Sequence, residues 1–376
     1  MSAPPSKALS KPVLFATGHA PAYRVPGLAL LHEREGIELA LFGGRSKHGG
    51  EGFEGEMPFP VRHVRPRELR ALAASGRYRA VVCPTGGRLA PLAAWSGARY
   101  RRTPLILWAS LWAHPRTPAH AFSYLPLRRL YRSADAVVTY GPHVSAYVRA
   151  RGARNVHEAA QAVDNEFWAS PQVAPPGEPG WPAQAKVKFL FVGRPEREKG
   201  LAVLARAWRA SELAPPEAAL VLAGVAPDLE AIAPSGPRRQ GDAGLVGLGS
   251  VPARKLRDVY AACDALVLPS IATRTFREPW GLVINEAMNR GLPVIASDAV
   301  GAVAGGLVRD GENGLVVAAG DSDALAHALA RLAGDPELRS RLGEQGARDV
   351  QAYTYRAWAQ GFSGALASLN LSRERW

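Results

Sequence analysis

The chain has 376 residues, 47% hydrophobic and 21% charged, a globular composition long enough for two domains of ordinary size. Its two cysteines, Cys83 and Cys263, each sit in an apolar run, which excludes a disulfide framework or a cysteine metal site and fits a reducing cytoplasm. The net charge of +13 is uneven: residues 1–180 hold 23 Lys/Arg against 12 Asp/Glu, and residues 62–154 hold 17 Arg and no Lys against Glu68 and Asp135. An anionic partner such as a phospholipid surface, a lipid phosphate or a nucleic acid is one reading of that stretch, and a solvated arginine-rich surface is the other. No run approaches the roughly 18 apolar residues of a membrane span, and the opening "MSAPPSKALSKPVLFATG" has too short an apolar stretch for a secretory signal. A cytoplasmic protein is expected, with peripheral attachment at the inner face of the membrane as the alternative the arginines raise.

In chain order, short apolar, β-branched runs alternate with segments of helical spacing. "KPVLFATG", "IELALFGG", "YRAVVCPTGG", "TPLILWAS" and "DAVVTYG" mark five strands in the first half. "VKFLFVGR", "AALVLAG", "LVGLG", "DALVLPS", "PVIAS" and "NGLVVAAGD" mark six in the second. This βαβ rhythm predicts an α/β protein of two doubly wound, Rossmann-like domains facing each other across a cleft at their strand carboxyl ends. The domain boundaries read as 1–169, a Pro/Gly-rich linker at 170–185, 186–354, and a final amphipathic helix over 355–376.

Three stretches carry chemistry. In "FLFVGRPEREKGLAVL" a strand turns at Gly193 and a helix begins near Gly200, so Arg194 and Lys199 lie where backbone N–H groups also favour an anion; a diphosphate suits this place. In "REPWGLVINEAMNRGLPVI" seven residues separate Glu278 from Glu286. Pro279 biases Glu278 out of the helix that follows, so one carboxylate belongs to a loop and the other to a helix, too far apart for a pair acting on a single glycosidic bond. Gly281 permits close backbone approach at that helix start, with hydrogen-bond acceptors on either side. A nucleotide sugar has this layout, with hydroxyls at both ends and a diphosphate between. "DSD" at 321–323 precedes an apolar helical pattern and reads as a helix cap rather than a metal site. No metal is expected, and neither a dinucleotide fingerprint nor a P-loop is present in the sequence.

The "VGR…EKG" turn, the Glu-x7-Glu spacing in "EPWGLVINEAMNRGLPVIAS", "YAACDALVLPS" before it and "GENGLVV" after it resemble the second domain of retaining nucleotide-sugar glycosyltransferases of family 4, with the GT-B fold. The likeness is close over residues 187–320 and looser in "SADAVVTYGPHVSAYV" and "NVHEAAQAVDNEFW". It implies that Arg194 and Lys199 hold the donor diphosphate, Glu286 the ribose hydroxyls and Glu278 the donor-sugar hydroxyls, with the Gly281 and Leu282 backbone beside phosphate and sugar. Gly249 and Val251 would line the base. The final helix would cross back to the first domain, and Asp164 would take a hinge role. His114 falls where the family often places a histidine near the reacting sugar. The first domain departs from the family's paired glycines, offering Gly18 and Gly27 with His19 and Arg24 between. The implied reaction is metal-independent transfer, with retention, from a nucleoside-diphosphate sugar (UDP-sugar favoured) to a hydroxyl acceptor, lipid-linked or a small metabolite. A sugar-nucleotide epimerase or phosphorylase on the same fold is the alternative, and a basic nucleic-acid-binding protein a more distant one.

Overall fold

The computed structural model describes residues 9–43, 57–87, 89–171, 177, 180–228 and 242–373. The chain divides into two compact units, residues 1–162 with 354–376 and residues 163–353.

In the first unit the strands are β1 (Val13–Thr17), β2 (Ile37–Leu41), β3 (Val61–His63), β4 (Ala80–Pro84), β5 (Leu105–Ala109), β6 (Ala136–Thr139) and β7 (Val156–Glu158). They form one parallel sheet in the order β3-β2-β1-β4-β5-β6-β7. A central strand covered on both faces reads as an unbroken apolar run. In β1, Leu14 and Ala16 enter one core cluster while Val13 and Phe15 enter another. The second cluster is closed by the C-terminal helix Tyr355–Ala367, whose Trp358, Phe362 and Leu366 recur at helical spacing. Its Phe362 ring lies 5.3 Å from Phe15 and 5.8 Å from Trp108. The Thr354 hydroxyl accepts from Ala357 N at 3.1 Å and sets where this helix begins. Two strands absent from the sequence reading, β3 and β7, are three-residue edge pieces whose side chains are partly or fully exposed, so they carry no apolar run to detect.

The second unit holds β8 (Val187–Val192), β9 (Ala218–Ala223), β10 (Leu245–Gly249), β11 (Ala265–Leu268), β12 (Val294–Ser297) and β13 (Gly314–Val317), in the order β10-β9-β8-β11-β12-β13. All six were legible as apolar runs, and every pairing is parallel. Trp208, Phe189 and Phe191 anchor the core of this unit.

Of the segment read as a linker, residues 172–176 and 178–179 lie outside the described residues. The stretch before it folds with the second unit: the Trp168 and Tyr260 rings meet edge to face at 5.4 Å, and Asn289 Nδ2 donates to Asn165 Oδ1 at 3.2 Å. Asp164 caps the short helix Asn165–Ala169, accepting from Phe167 N at 2.9 Å. Asp321 likewise caps the helix Ser322–Gly334 through the N–H groups of Asp323 and Ala324, the role its position predicts. Both cysteines are buried free thiols, and burial raises their pKa values.

Candidate active site in the second unit

In a parallel sheet wound both ways from its centre, ligands bind beyond the carboxyl ends of the strands where the winding reverses. In the second unit that point lies between β8 and β11, because β9 and β10 continue to one side and β12 and β13 to the other. The chain leaving β8 carries Gly193, Arg194 and, in the 3₁₀ turn Arg197–Lys199, Lys199. The chain leaving β11 carries Ser270 and Glu278 and enters the helix Leu282–Asn289. Two chemistry-bearing segments far apart in sequence therefore meet at one crevice.

They meet through hydrogen bonds. Lys199 Nζ lies 2.5 Å from Glu278 Oε2, and Ser270 Oγ donates to the same oxygen at 3.4 Å. Ile271 N donates to Glu198 O at 2.8 Å, and Gly301 N to Glu278 O at 3.0 Å, so the backbone of both loops is held. Gly200 makes the approach possible: its φ is +74°, and a Cβ there would lie 2.0 Å from Pro269 O. Gly281 serves the same end at the helix start, with φ +96° and Leu268 Cδ2 2.8 Å from where its Cβ would be. The Glu278 side chain is nearly buried, so its charge depends on Lys199 for compensation. Arg194 is more open: its Nη1 pairs with Glu196 Oε1 at 3.0 Å with both side chains over two-fifths exposed, a pair of little energetic weight.

Glu286 lies inside the helix, Glu278 in the loop before it, as Pro279 predicts. Glu286 Oε2 accepts from the Tyr260 hydroxyl at 2.8 Å. Burial pushes the Glu286 carboxyl up to about 7, the Tyr260 hydrogen bond pulling the other way. Tyr260 is itself raised well above its ordinary value, by burial first and the neighbouring carboxylate second. Gly249 ends β10 at a register shift, donating to Val225 O and accepting from Gly224 N, both at 2.7 Å, with half-buried Val251 close behind. Gly193, Arg194, Lys199, Gly249, Val251, Glu278, Gly281 and Leu282 thus gather beyond the strand ends of one sheet, with Glu286 a turn into the helix. Sequence reasoning assigned no role to Ser270 or Tyr260, although both flank "AACDALVLP". Each is recognisable only by the carboxylate it touches.

Gly18 and His114 belong to the first unit. Gly18 follows β1, and its carbonyl accepts from Gly43 N at 3.0 Å. His114 follows β5 and is half-buried with both ring nitrogens engaged, Nε2 with His120 O at 2.8 Å and Nδ1 with the Tyr147 hydroxyl at 3.3 Å. Tyr124 closes on its ring edge to face at 5.3 Å. These contacts hold the loop together.

Residues 181–349 match the family model described as Glycosyl transferases group 1. The matched span contains every residue named above from Gly193 to Glu286. The chain resembles the D-inositol 3-phosphate glycosyltransferase of Corynebacterium glutamicum (strain R), 37% identical over 130 residues, which are 33% of this chain and 29% of that protein. It also resembles the alpha-maltose-1-phosphate synthase of Mycolicibacterium smegmatis, 33% identical over 213 residues, 51% of each. The chain therefore spans between about a third and a half of the length of these relatives. In structure it is similar to Anabaena Alr3699/HepE in complex with UDP and glucose, with a TM-score of 0.72 and 19% identity over 95% of this chain and 100% of that one. That likeness is one of fold, and two doubly wound parallel-sheet units of the GT-B class are what the sequence led us to expect.

Proposed function

We propose that the protein is a glycosyltransferase that moves a sugar from a nucleoside-diphosphate sugar, UDP-sugar favoured, to a hydroxyl acceptor with retention and without a metal. The observation that carries this reading is the Lys199–Glu278 contact at the β8/β11 switch point, inside the segment that matches the group 1 model. The UDP and glucose held by the Anabaena protein of like fold support a donor of that kind.

In this reading Arg194 and Lys199, with the amino end of the helix Leu282–Asn289, neutralise the diphosphate as the sugar–phosphate bond breaks. Glu278 accepts from hydroxyls of the donor sugar and Glu286 from those of the ribose. The acceptor oxygen bonds to the anomeric carbon on the face the phosphate leaves, and the departing phosphate oxygen takes the acceptor's proton. No enzymic nucleophile is required. His114, with both nitrogens hydrogen-bonded, serves in this scheme by shaping its loop.

The reading is tested by thermal stabilisation with UDP, GDP, ADP, dTDP and NAD, each with and without EDTA. UDP at a hundred times its Kd is expected to stabilise by about 2.7 kcal/mol, unchanged by EDTA. A shift with NAD alone, or with no nucleotide, overturns it. Product analysis without acceptor separates transfer from epimerisation.

A pH dependence follows from Glu286. Its carboxyl is neutral below about pH 7 and ionised above it, and ribose hydroxyls donate best to the ionised form. UDP affinity is therefore expected to rise about tenfold between one unit below and one unit above that value. Folding is linked in the opposite sense, since a raised carboxyl binds protons more tightly in the native state and its stabilising effect fades as pH climbs from 4.5 towards 7. Isothermal titration of UDP across this range checks the first effect, which Glu286→Gln should flatten.

A further inference from the structure

We propose that the helices Pro118–Ser133 and Ala90–Arg101 of the first unit form a docking surface for an anionic phospholipid bilayer. Phe122 and Leu125 enter the acyl region, and Arg99, Arg128, Arg129 and Arg132 hold the headgroup phosphates.

The outer face of Pro118–Ser133 is unusual for a solvated helix. Phe122 is 84% exposed and Leu125 68%, and they stand three residues apart, on the face that Arg129 and Arg132 continue. Apolar side chains occupy the first half of that face and arginines the second. Beside it, Leu92 and Tyr100 of the neighbouring helix are also exposed. Between the two helices runs a cavity of about 720 Å³ with Leu92, Trp95 and Leu125 among its lining and Arg128, Arg129 and Arg132 at its rim. Trp95 organises that rim: the guanidinium groups of Arg99 and Arg129 each lie 5.8 Å from its ring centre, and its Nε1 donates to Ser133 Oγ at 2.8 Å.

Charge chooses the occupant. Among the described residues no carboxylate lies within ion-pairing distance of Arg99, Arg128, Arg129 or Arg132. Cations left without counter-charge beside exposed Phe and Leu match a surface that offers phosphates at one depth and hydrocarbon just below it. A nucleic acid would use the arginines but has no partner for an exposed leucine. Among the described residues no helix is long and apolar enough to cross a membrane, which leaves a helix lying in the interface.

The inference goes beyond the transferase reading and is tested without any donor, so the two can fail separately. The full chain is sedimented with vesicles of phosphatidylcholine, with and without phosphatidylglycerol. Binding is expected only with the anionic lipid. Neutralising three arginines together, Arg128→Gln, Arg129→Gln and Arg132→Gln, should lower the partition coefficient roughly a hundredfold. The pair Phe122→Ser and Leu125→Ser should lower it at least about tenfold even at low salt, because the apolar part is lost while the charges remain. Both variants should melt as wild type does, since the altered side chains face solvent. Equal binding to neutral vesicles, or wild-type binding by the apolar double variant, overturns the proposal. So does an oligonucleotide that displaces the vesicles and binds the double variant as well as wild type, which would make this a nucleic-acid face.

Discussion

Lys199→Met is expected to lower kcat/KM for a nucleotide-sugar donor by about 10²–10³, the range found when one fixed donor to a developing charge is removed. The substitution keeps most of the side-chain stem and takes away only the cation that meets the leaving diphosphate. It also leaves Glu278 uncompensated, and a nearly buried carboxylate stripped of its partner destabilises by up to about 3–5 kcal/mol, less here because Lys199 is 20% exposed. The double variant Lys199→Met with Glu278→Gln separates the two effects: its melting temperature should recover while transfer stays lost. Glu286→Ala should abolish transfer through the ribose end of the same donor. Steady-state kinetics beside thermal denaturation decide the matter, and full activity in Lys199→Met with full activity in Glu286→Ala would remove the site.

The second large effect concerns stability of the first unit. Arg79 was counted in the sequence among 17 arginines taken for a surface field, and the structure corrects that for this residue, which is 4% exposed. Its Nε donates to Leu371 O at 2.8 Å, its Nη1 to Lys11 O at 2.6 Å, and its Nη2 to both Glu35 O and Glu35 Oε2 at 2.8 Å. Glu35, fully buried, also accepts from Ser372 Oγ at 2.7 Å and Arg373 N at 3.0 Å. One ion pair thus clasps the segment after the C-terminal helix to the end of the helix Val25–Glu35. Desolvation first, and the Arg373 charge second, pull the Arg79 guanidinium down to about 10. Arg79→Met should destabilise the unit by about 3–5 kcal/mol, because it leaves a carboxylate with no counter-charge in the interior. Arg79→Met with Glu35→Gln should recover much of that loss. Urea unfolding followed by hydrogen exchange of the β1 and β4 amides measures it unit by unit, and a single variant as stable as wild type would refute the clasp.

Legibility differed with the range of the interaction that decides each feature. Eleven strands announced themselves as apolar runs, because a strand covered on both faces needs apolar residues at consecutive positions. The loop-then-helix placement of Glu278 and Glu286 followed from Pro279 alone. The edge strands β3 and β7 could not be found, since pairing along one side demands no pattern of its own. The Pro-rich stretch drew attention as a linker, yet the segment before it is tied to the second unit by Trp168 against Tyr260 and Asn165 against Asn289, contacts that no local composition signals.

The amino-acid sequence by itself determined the two parallel-sheet units and the loops that carry Arg194, Lys199, Glu278 and Glu286, because strand burial and helix entry are governed by residues adjacent in the chain. Only the tertiary structure decided which charges meet and which are desolvated. Lys199 reaches Glu278 across 79 residues, Tyr260 finds Glu286 across 26 and Arg79 finds Glu35 across 44. The energy of a charge depends on the dielectric around it and the partner beside it, and both are supplied by chain remote in sequence.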